Sequence, residues 1–257
     1  MKRIIYKIAP LIFIVLILIL WSFISYSNIL PNFMLPSPTN VLYAFFNDFG
    51  VITSNLSTTL FEAFVGLFIA VIFSFLTSFI MDRFNFLYRS IYPILIITQT
   101  VPTVAIAPIL VLWFGYDMTP KIILIVVSCF FPITVSLLNG FKSVDKEQIN
   151  LFKSMGASKF DIFFRLKLPF SMISFFSGFK IAVSYSVVGA VIAEWLGGYK
   201  GLGVYMIRAK KSYEFDKMFA VIILISLISL LLVVLVDIAQ KALMPWLKSN
   251  NTKERQC

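Results

Sequence analysis

The sequence predicts an all-α membrane protein. Six transmembrane helices enter and leave so that both termini lie inside, and a charged two-helix loop joins the fourth to the fifth. Three observations carry this fold class. Of 257 residues, 60% are hydrophobic and only 13% are charged, whereas a soluble domain carries about 25% charged residues. Six apolar stretches approach the roughly 20 residues that a helix needs to cross hydrocarbon. A hydrophilic island at 139–169 interrupts them once, between two apolar runs.

The first predicted span, about 8–27, follows Lys2, Arg3 and Lys7. Its apolar run reaches Ile24, too long for a cleaved signal segment, and Ser25-Tyr26-Ser27 is a poor cleavage site, so it reads as an uncleaved helix. Pro31, Pro36 and Pro38 then predict an extended strap, and the helical apolar spacing of 41–49 a short interfacial helix. The further spans are predicted at about 57–81, 92–113, 121–139, 172–193 and 219–239. Asp237, Lys241 and Lys248 suit interface anchoring at the end of the last span, and 250–257 reads as a solvated tail. The whole chain, 1–257, is one membrane domain.

Basic residues choose the orientation. Most of the 22 Lys and Arg fall on segments that share a side with the N-terminus, and none falls between Asn28 and Leu56. This favours both termini inside. The basic segment 200–217 strains the rule, and is expected to dip back into the membrane or to lie along the outer surface.

Within the island, Asp145-Lys146-Glu147-Gln148 starts a helix with a capping-box-like pattern, and the helix runs to Met155. Gly156 suits the left-handed position just past a helix end. Ser158 with Asp161 three residues later caps a second helix, expected to stop near Lys167, ahead of Pro169. Leu151, Phe152 and Met155 cluster on the first helix, and Ile162, Phe163 and Leu166 on the second. Two readings fit this pattern: a docking knob for a partner, or an amphipathic connector resting on the membrane.

Several classes of function fit poorly. The chain has no histidine, hence neither the commonest metal ligand nor the commonest general base. Cys129 and Cys257 form neither a disulfide framework nor a zinc pattern. No glycine-rich loop ending in Gly-Lys-Ser/Thr is present to cradle ATP phosphates. In so apolar a chain, the net charge of +10 sets topology rather than binding nucleic acid. A stand-alone channel or ion-coupled carrier would show more buried charge inside its spans.

Individual residues keep two readings each. Gln99 stands beside Pro102 in the third span, where prolines free backbone carbonyls; its amide serves a solute pathway or joins helices. Glu62, Lys180 and Glu194 are ionisable residues in or near spans, and Lys180 either pairs with an acid or belongs to a pathway. Ala182, Ser186, Gly189 and Ala193 form a small-residue face for packing or for lining a pathway. Tyr185 is a core aromatic or a ring on which a flat heterocycle stacks.

The island resembles the EAA loop of ABC-importer permeases. Gly156 is followed by nine residues and then Leu166-Lys167-Leu168-Pro169, as in that loop; the EAA triplet falls on Asn150-Leu151-Phe152 and is absent. Leu35-Pro36-Ser37-Pro38, Val101-Pro102, Ala107-Pro108, Trp113-Phe114-Gly115, Phe131-Pro132, the run Ala193-Glu194-Trp195-Leu196-Gly197-Gly198 and Gly201-Leu202-Gly203 resemble the nitrate/sulfonate/taurine permease group. Thr59-Leu60-Phe61-Glu62-Ala63, Thr98-Gln99-Thr100, Ser154-Met155-Gly156-Ala157-Ser158 and Ser177-Gly178-Phe179-Lys180-Ile181 are similar to its thiamine-precursor (hydroxymethylpyrimidine) branch.

The resemblance implies a type I ABC-importer permease in a bacterial plasma membrane, working as a homodimer. A cytoplasmic ABC ATPase dimer would bind ATP-Mg, so the chain itself carries no cofactor and no metal. An extracellular or lipid-anchored binding protein would deliver the solute, with lipid around the spans. Leu151, Phe152, Met155, Gly156, Ala157, Ser158, Leu168 and Pro169 are then expected to couple to the ATPase, and Gln99, Pro102, Lys180, Tyr185 and Glu194 to line or gate the pathway. The expected solute is a thiamine-precursor pyrimidine, with nitrate, sulfonate or taurine as the alternative.

Overall fold

The computed structural model describes residues 2–27, 31 and 34–245, with side chains from residue 9 onward. The tail 250–257, with Cys257, and the anchor Lys248 lie outside the described residues. Eleven helices are described: α1 (Lys2–Tyr26), α2 (Pro38–Asn47), α3 (Phe49–Arg83), α4 (Asn85–Thr100), α5 (Thr103–Phe114), α6 (Met118–Lys142), α7 (Lys146–Ser154), α8 (Lys159–Ile162), α9 (Leu168–Gly197), α10 (Leu202–Lys211) and α11 (Phe215–Leu243). A π-helical turn, Phe163–Lys167, joins α8 to α9.

Five helical stretches are long and apolar enough to cross a membrane alone: α1, α3, α6, the continuous α8–α9 run and α11. The third predicted span is not one helix. It is the pair α4 and α5, bent by 98° at Val101-Pro102. Proline disfavours the helical conformation in the residue before it, and Val101 is extended, with φ −80° and ψ 119°.

Other boundaries move for local reasons. The short helix starts at Pro38, not 41, because Ser37 caps it by accepting from the Asn40 N–H at 3.2 Å and proline is tolerated in a first turn. Only Asp48 separates it from α3, so α3 begins eight residues ahead of the predicted 57. Pro169 does not stop the second island helix. The Leu168 N–H donates to the Phe163 carbonyl five residues back, and this wider turn carries the chain past the proline into α9.

Helices α3, α6 and α9 form the core, where Leu67, Ile133, Leu137 and Val187 are buried. Close approach depends on small residues. A Cβ on Gly178 would collide with the Pro132 carbonyl and the Ser136 side chain across the α6–α9 contact. Ala182, Ser186, Gly189 and Ala193 are all buried, and the Cys129 thiol donates to the Ala182 carbonyl at 3.2 Å. Ser74 and Ser78 on α3 donate to the Phe130 and Thr134 carbonyls of α6.

The core also fixes direction. The α7–α8 hairpin lies where α3 and α6 end and α9 begins; α2 and α10 lie at the opposite end. The long basic segment is thus a docked helix: Leu202, Tyr205, Met206 and Ala209 of α10 are buried, while Lys210 and Lys211 are exposed. The Tyr205 hydroxyl donates to Asp48 at 2.8 Å, and Lys217 pairs with the same carboxylate at 3.1 Å. Burial and the Asp48 charge push the Tyr205 hydroxyl above its ordinary range. Helix α1 leans on this end through bonds from Trp21 to the Pro36 carbonyl and from Ser25 to the Leu35 carbonyl, both 3.0 Å. Its outer surface, including Leu11, Phe13 and Leu20, is exposed, as expected of a helix solvated by lipid.

Candidate coupling hairpin and solute cavity

The hairpin is built by three local devices. Asp145 caps α7 by accepting from the Glu147 N–H at 3.1 Å, one residue earlier than the Gln148 pattern predicts. At the far end of α7 the Gly156 N–H donates to the Lys153 carbonyl and the Ala157 N–H to the Phe152 carbonyl, each at 3.0 Å. This is a Schellman closure, and it requires the φ of +81° that Gly156 adopts. Ser158 and Asp161 then form a complete capping box. Their hydrogen bonds hold the Asp161 carboxyl below its ordinary value.

These turns sort the apolar residues. Ile162 and Phe163 are buried, with the Phe163 ring 4.7 Å from Phe79 and 5.1 Å from Phe141. They anchor the hairpin to α3 and α6. Leu151 and Met155 point away, 60% and 77% exposed. Phe152, Ala157 and Leu168 are half-buried; Gly156, Ser158 and Pro169 are exposed. The hairpin therefore has a bundle side and a free apolar edge.

A second feature lies at the bend between α4 and α5. A cavity of about 410 Å³ is lined by Gln99 and Pro102, and by Ser128, Phe131 and Tyr185 from α6 and α9. The 98° break borders this space: Gln99 before it and Thr103 after it line one cavity with the Tyr185 ring. None of its described lining residues is charged. The small-residue face of α9 instead packs on α6, apart from Gly189, which also reaches the cavity wall.

Two of the expected pathway residues stand elsewhere. Lys180 pairs with Asp237 of α11, away from the cavity; Asp237 therefore ties two helices together instead of acting only as an interface anchor. Glu194 is buried at the α10 end. It accepts from the Thr59 hydroxyl at 2.7 Å and from the Gly203 N–H at 2.6 Å. Thr59 in turn accepts from the Leu202 N–H at 2.9 Å, and Asn55 from the Gly201 N–H at 2.9 Å. Beside it, Lys121 and Glu62 pair at 2.6 Å. Lys121 is a buried residue that the sequence did not single out. Its position one turn into an amphipathic helix start, with an acid in the neighbouring span, was the available signal.

Comparison with known proteins gives four results. The family described as binding-protein-dependent transport system inner membrane component matches residues 66–249. The formylaminopyrimidine transport permease protein ThiX of Halalkalibacterium halodurans is 34% identical over 96% of this chain and 99% of its own. The taurine transport system permease protein TauC of Escherichia coli is 29% identical over 90% of this chain and 86% of its own. Among solved structures, inward-facing MetNI methionine ABC transporter shares the fold, with a TM-score of 0.65 at 17% identity, covering 77% of this chain and 96% of that one.

Proposed function

We propose that this chain, which belongs to the binding-protein-dependent transport system inner membrane component family, passes a neutral thiamine-precursor pyrimidine into the cell. Membership makes it a permease subunit of an importer and a multi-pass protein of the bacterial inner membrane. The single observation that carries the choice of solute is the identity, running nearly end to end, to a permease named for formylaminopyrimidine. The cavity supports it. Gln99 offers both a donor and an acceptor, Ser128 a hydroxyl, and Tyr185 and Phe131 ring faces. A heterocycle with an exocyclic amine needs these groups and no counter-charge.

In this reading two copies face one another across the cavity, with six spans each and both termini inside. The hairpin faces the cytoplasm. Its free edge, Leu151 and Met155, seats in an ABC ATPase that binds ATP-Mg, and the rigid Phe163 contact passes that movement to α3 and α6. A binding protein delivers solute at the α10 end. The taurine permease relative favours a second reading, a sulfonate-type solute. The uncharged cavity weighs against it, since Lys180 is already paired elsewhere.

Calorimetry on the binding protein that works with this chain separates the two. Tight binding of formylaminopyrimidine or hydroxymethylpyrimidine, and none of taurine, an alkanesulfonate or nitrate, is expected. Tight binding of an anion would assign the chain to the sulfonate reading. Uptake by the chain alone, without ATPase or binding protein, would make it a carrier instead.

A further inference from the structure

A cavity of about 290 Å³ lies between the end of α3 and the inner side of the hairpin. Its floor is apolar, made by Phe79, Ile162 and Phe163. Its rim is cationic: Arg83, Lys153, Lys159 and Lys167, with Asp82 the one acid among the lining residues. Asp82 is fully engaged, its two oxygens 2.7 and 2.9 Å from the Lys167 ammonium. Arg83, Lys153 and Lys159 have no ion-pair partner among the described residues.

Three exposed cations without such partners around one small space make its rim strongly positive and favour an anion there. The architecture matches one ligand chemistry. Phosphate oxygens take several N–H donors at once, and guanidinium and ammonium groups are the side chains that provide them. The apolar floor beneath the rim suits the start of a hydrocarbon chain. Basic pockets beside spanning helices on the cytoplasmic side hold phosphate-bearing headgroups in this way.

We propose that this cavity binds a phosphate-bearing anion, with an anionic phospholipid headgroup of the inner leaflet as one source and free phosphate as the other. The site is distinct from the solute cavity at Gln99 and from the free edge of the hairpin at Leu151 and Met155. Occupied, it neutralises Arg83, Lys153 and Lys159 and braces the hairpin against α3. The inner-leaflet source rests on the reading that the hairpin faces the cytoplasm. Binding itself does not, because it is measured on solubilised protein.

The test is native mass spectrometry of the delipidated full chain in detergent. It is offered dioleoylphosphatidylglycerol and dioleoylphosphatidylcholine at equal concentration, with and without millimolar inorganic phosphate. Phosphatidylglycerol should be retained preferentially. The preference should fall about fivefold for each basic residue removed, and be lost in Arg83→Gln/Lys153→Gln/Lys159→Gln. Lys153→Gln alone, at an exposed position, gives the same test if the triple variant does not fold. Lys210→Gln/Lys211→Gln at the opposite end should leave the preference unchanged.

Displacement of phosphatidylglycerol by inorganic phosphate would identify free phosphate as a ligand of the same site; no displacement would identify the lipid. Equal retention of both lipids, or a preference that survives removal of the three cations, overturns the proposal.

Discussion

The Lys121 ammonium lies 2.6 Å from the Glu62 carboxylate, with both side chains almost wholly sealed from solvent. One Glu62 oxygen, Oε2, has no hydrogen-bond partner among the described residues. The pair joins α3 to α6 beside the Glu194–Thr59 bonds that hold the start of α10. A buried pair is costly to break from one side, because the remaining charge stays desolvated.

Lys121→Met should therefore destabilise the purified protein by about 3–5 kcal/mol. The double change Glu62→Leu/Lys121→Met should recover most of that loss. Thermal unfolding in detergent of both single variants and the double variant checks the coupling. Additive losses would show that the two residues act independently.

At Gly156 the φ of +81° is the requirement, since a Cβ there would meet no neighbour within 4 Å. Gly156→Val should cost about 1–2 kcal/mol of local strain and abolish coupled uptake while membrane insertion persists. Gly156→Asn, which tolerates the left-handed region, should retain most uptake. Uptake assays at matched protein abundance distinguish them; equal activity would remove the turn from the coupling mechanism.

The Asp161 carboxyl is held below its ordinary 3.8 by hydrogen bonds from Ser158. Its capping contribution is therefore complete above that value and is lost as pH falls through the lower folded value. Hydrogen exchange at the start of α8, corrected for intrinsic rates, should be flat from neutral pH to about pH 5 and speed up below the carboxylate range. Asp161→Asn should exchange rapidly throughout. A transition near neutral pH would point to a different group.

Tyr185 is half-exposed on the cavity at the α4–α5 bend. If a heterocycle stacks on its ring, Tyr185→Ala should raise the KM for uptake at least about fivefold, the low end of what base–aromatic stacking is worth. Tyr185→Phe should stay near wild type. Lys180→Met, away from this cavity, should act on stability through Asp237 and not on KM.

Much of this was legible in the sequence because it is local. The caps at Asp145 and Ser158, the glycine closure at Gly156 and the apolar stretches each depend on neighbours within a few residues. The bend at Val101-Pro102 was written there too, yet its size was not: proline weakens a straight path without choosing a new one. Pro169 shows the reverse, a stop signal overridden by a π-turn and by Phe163 packing against Phe79 and Phe141. Long-range pairings were the least readable. Nothing in the spacing joins Lys180 to Asp237, or Glu194 to Thr59, because both depend on how α9 lies against its neighbours.

The most direct test of the account is ATP-dependent uptake into vesicles containing this chain, its ATPase and its binding protein. Radiolabelled formylaminopyrimidine should accumulate only when all three components and ATP are present, and excess taurine should not compete. Accumulation of taurine in its place, or pyrimidine uptake that needs no ATPase, would contradict it.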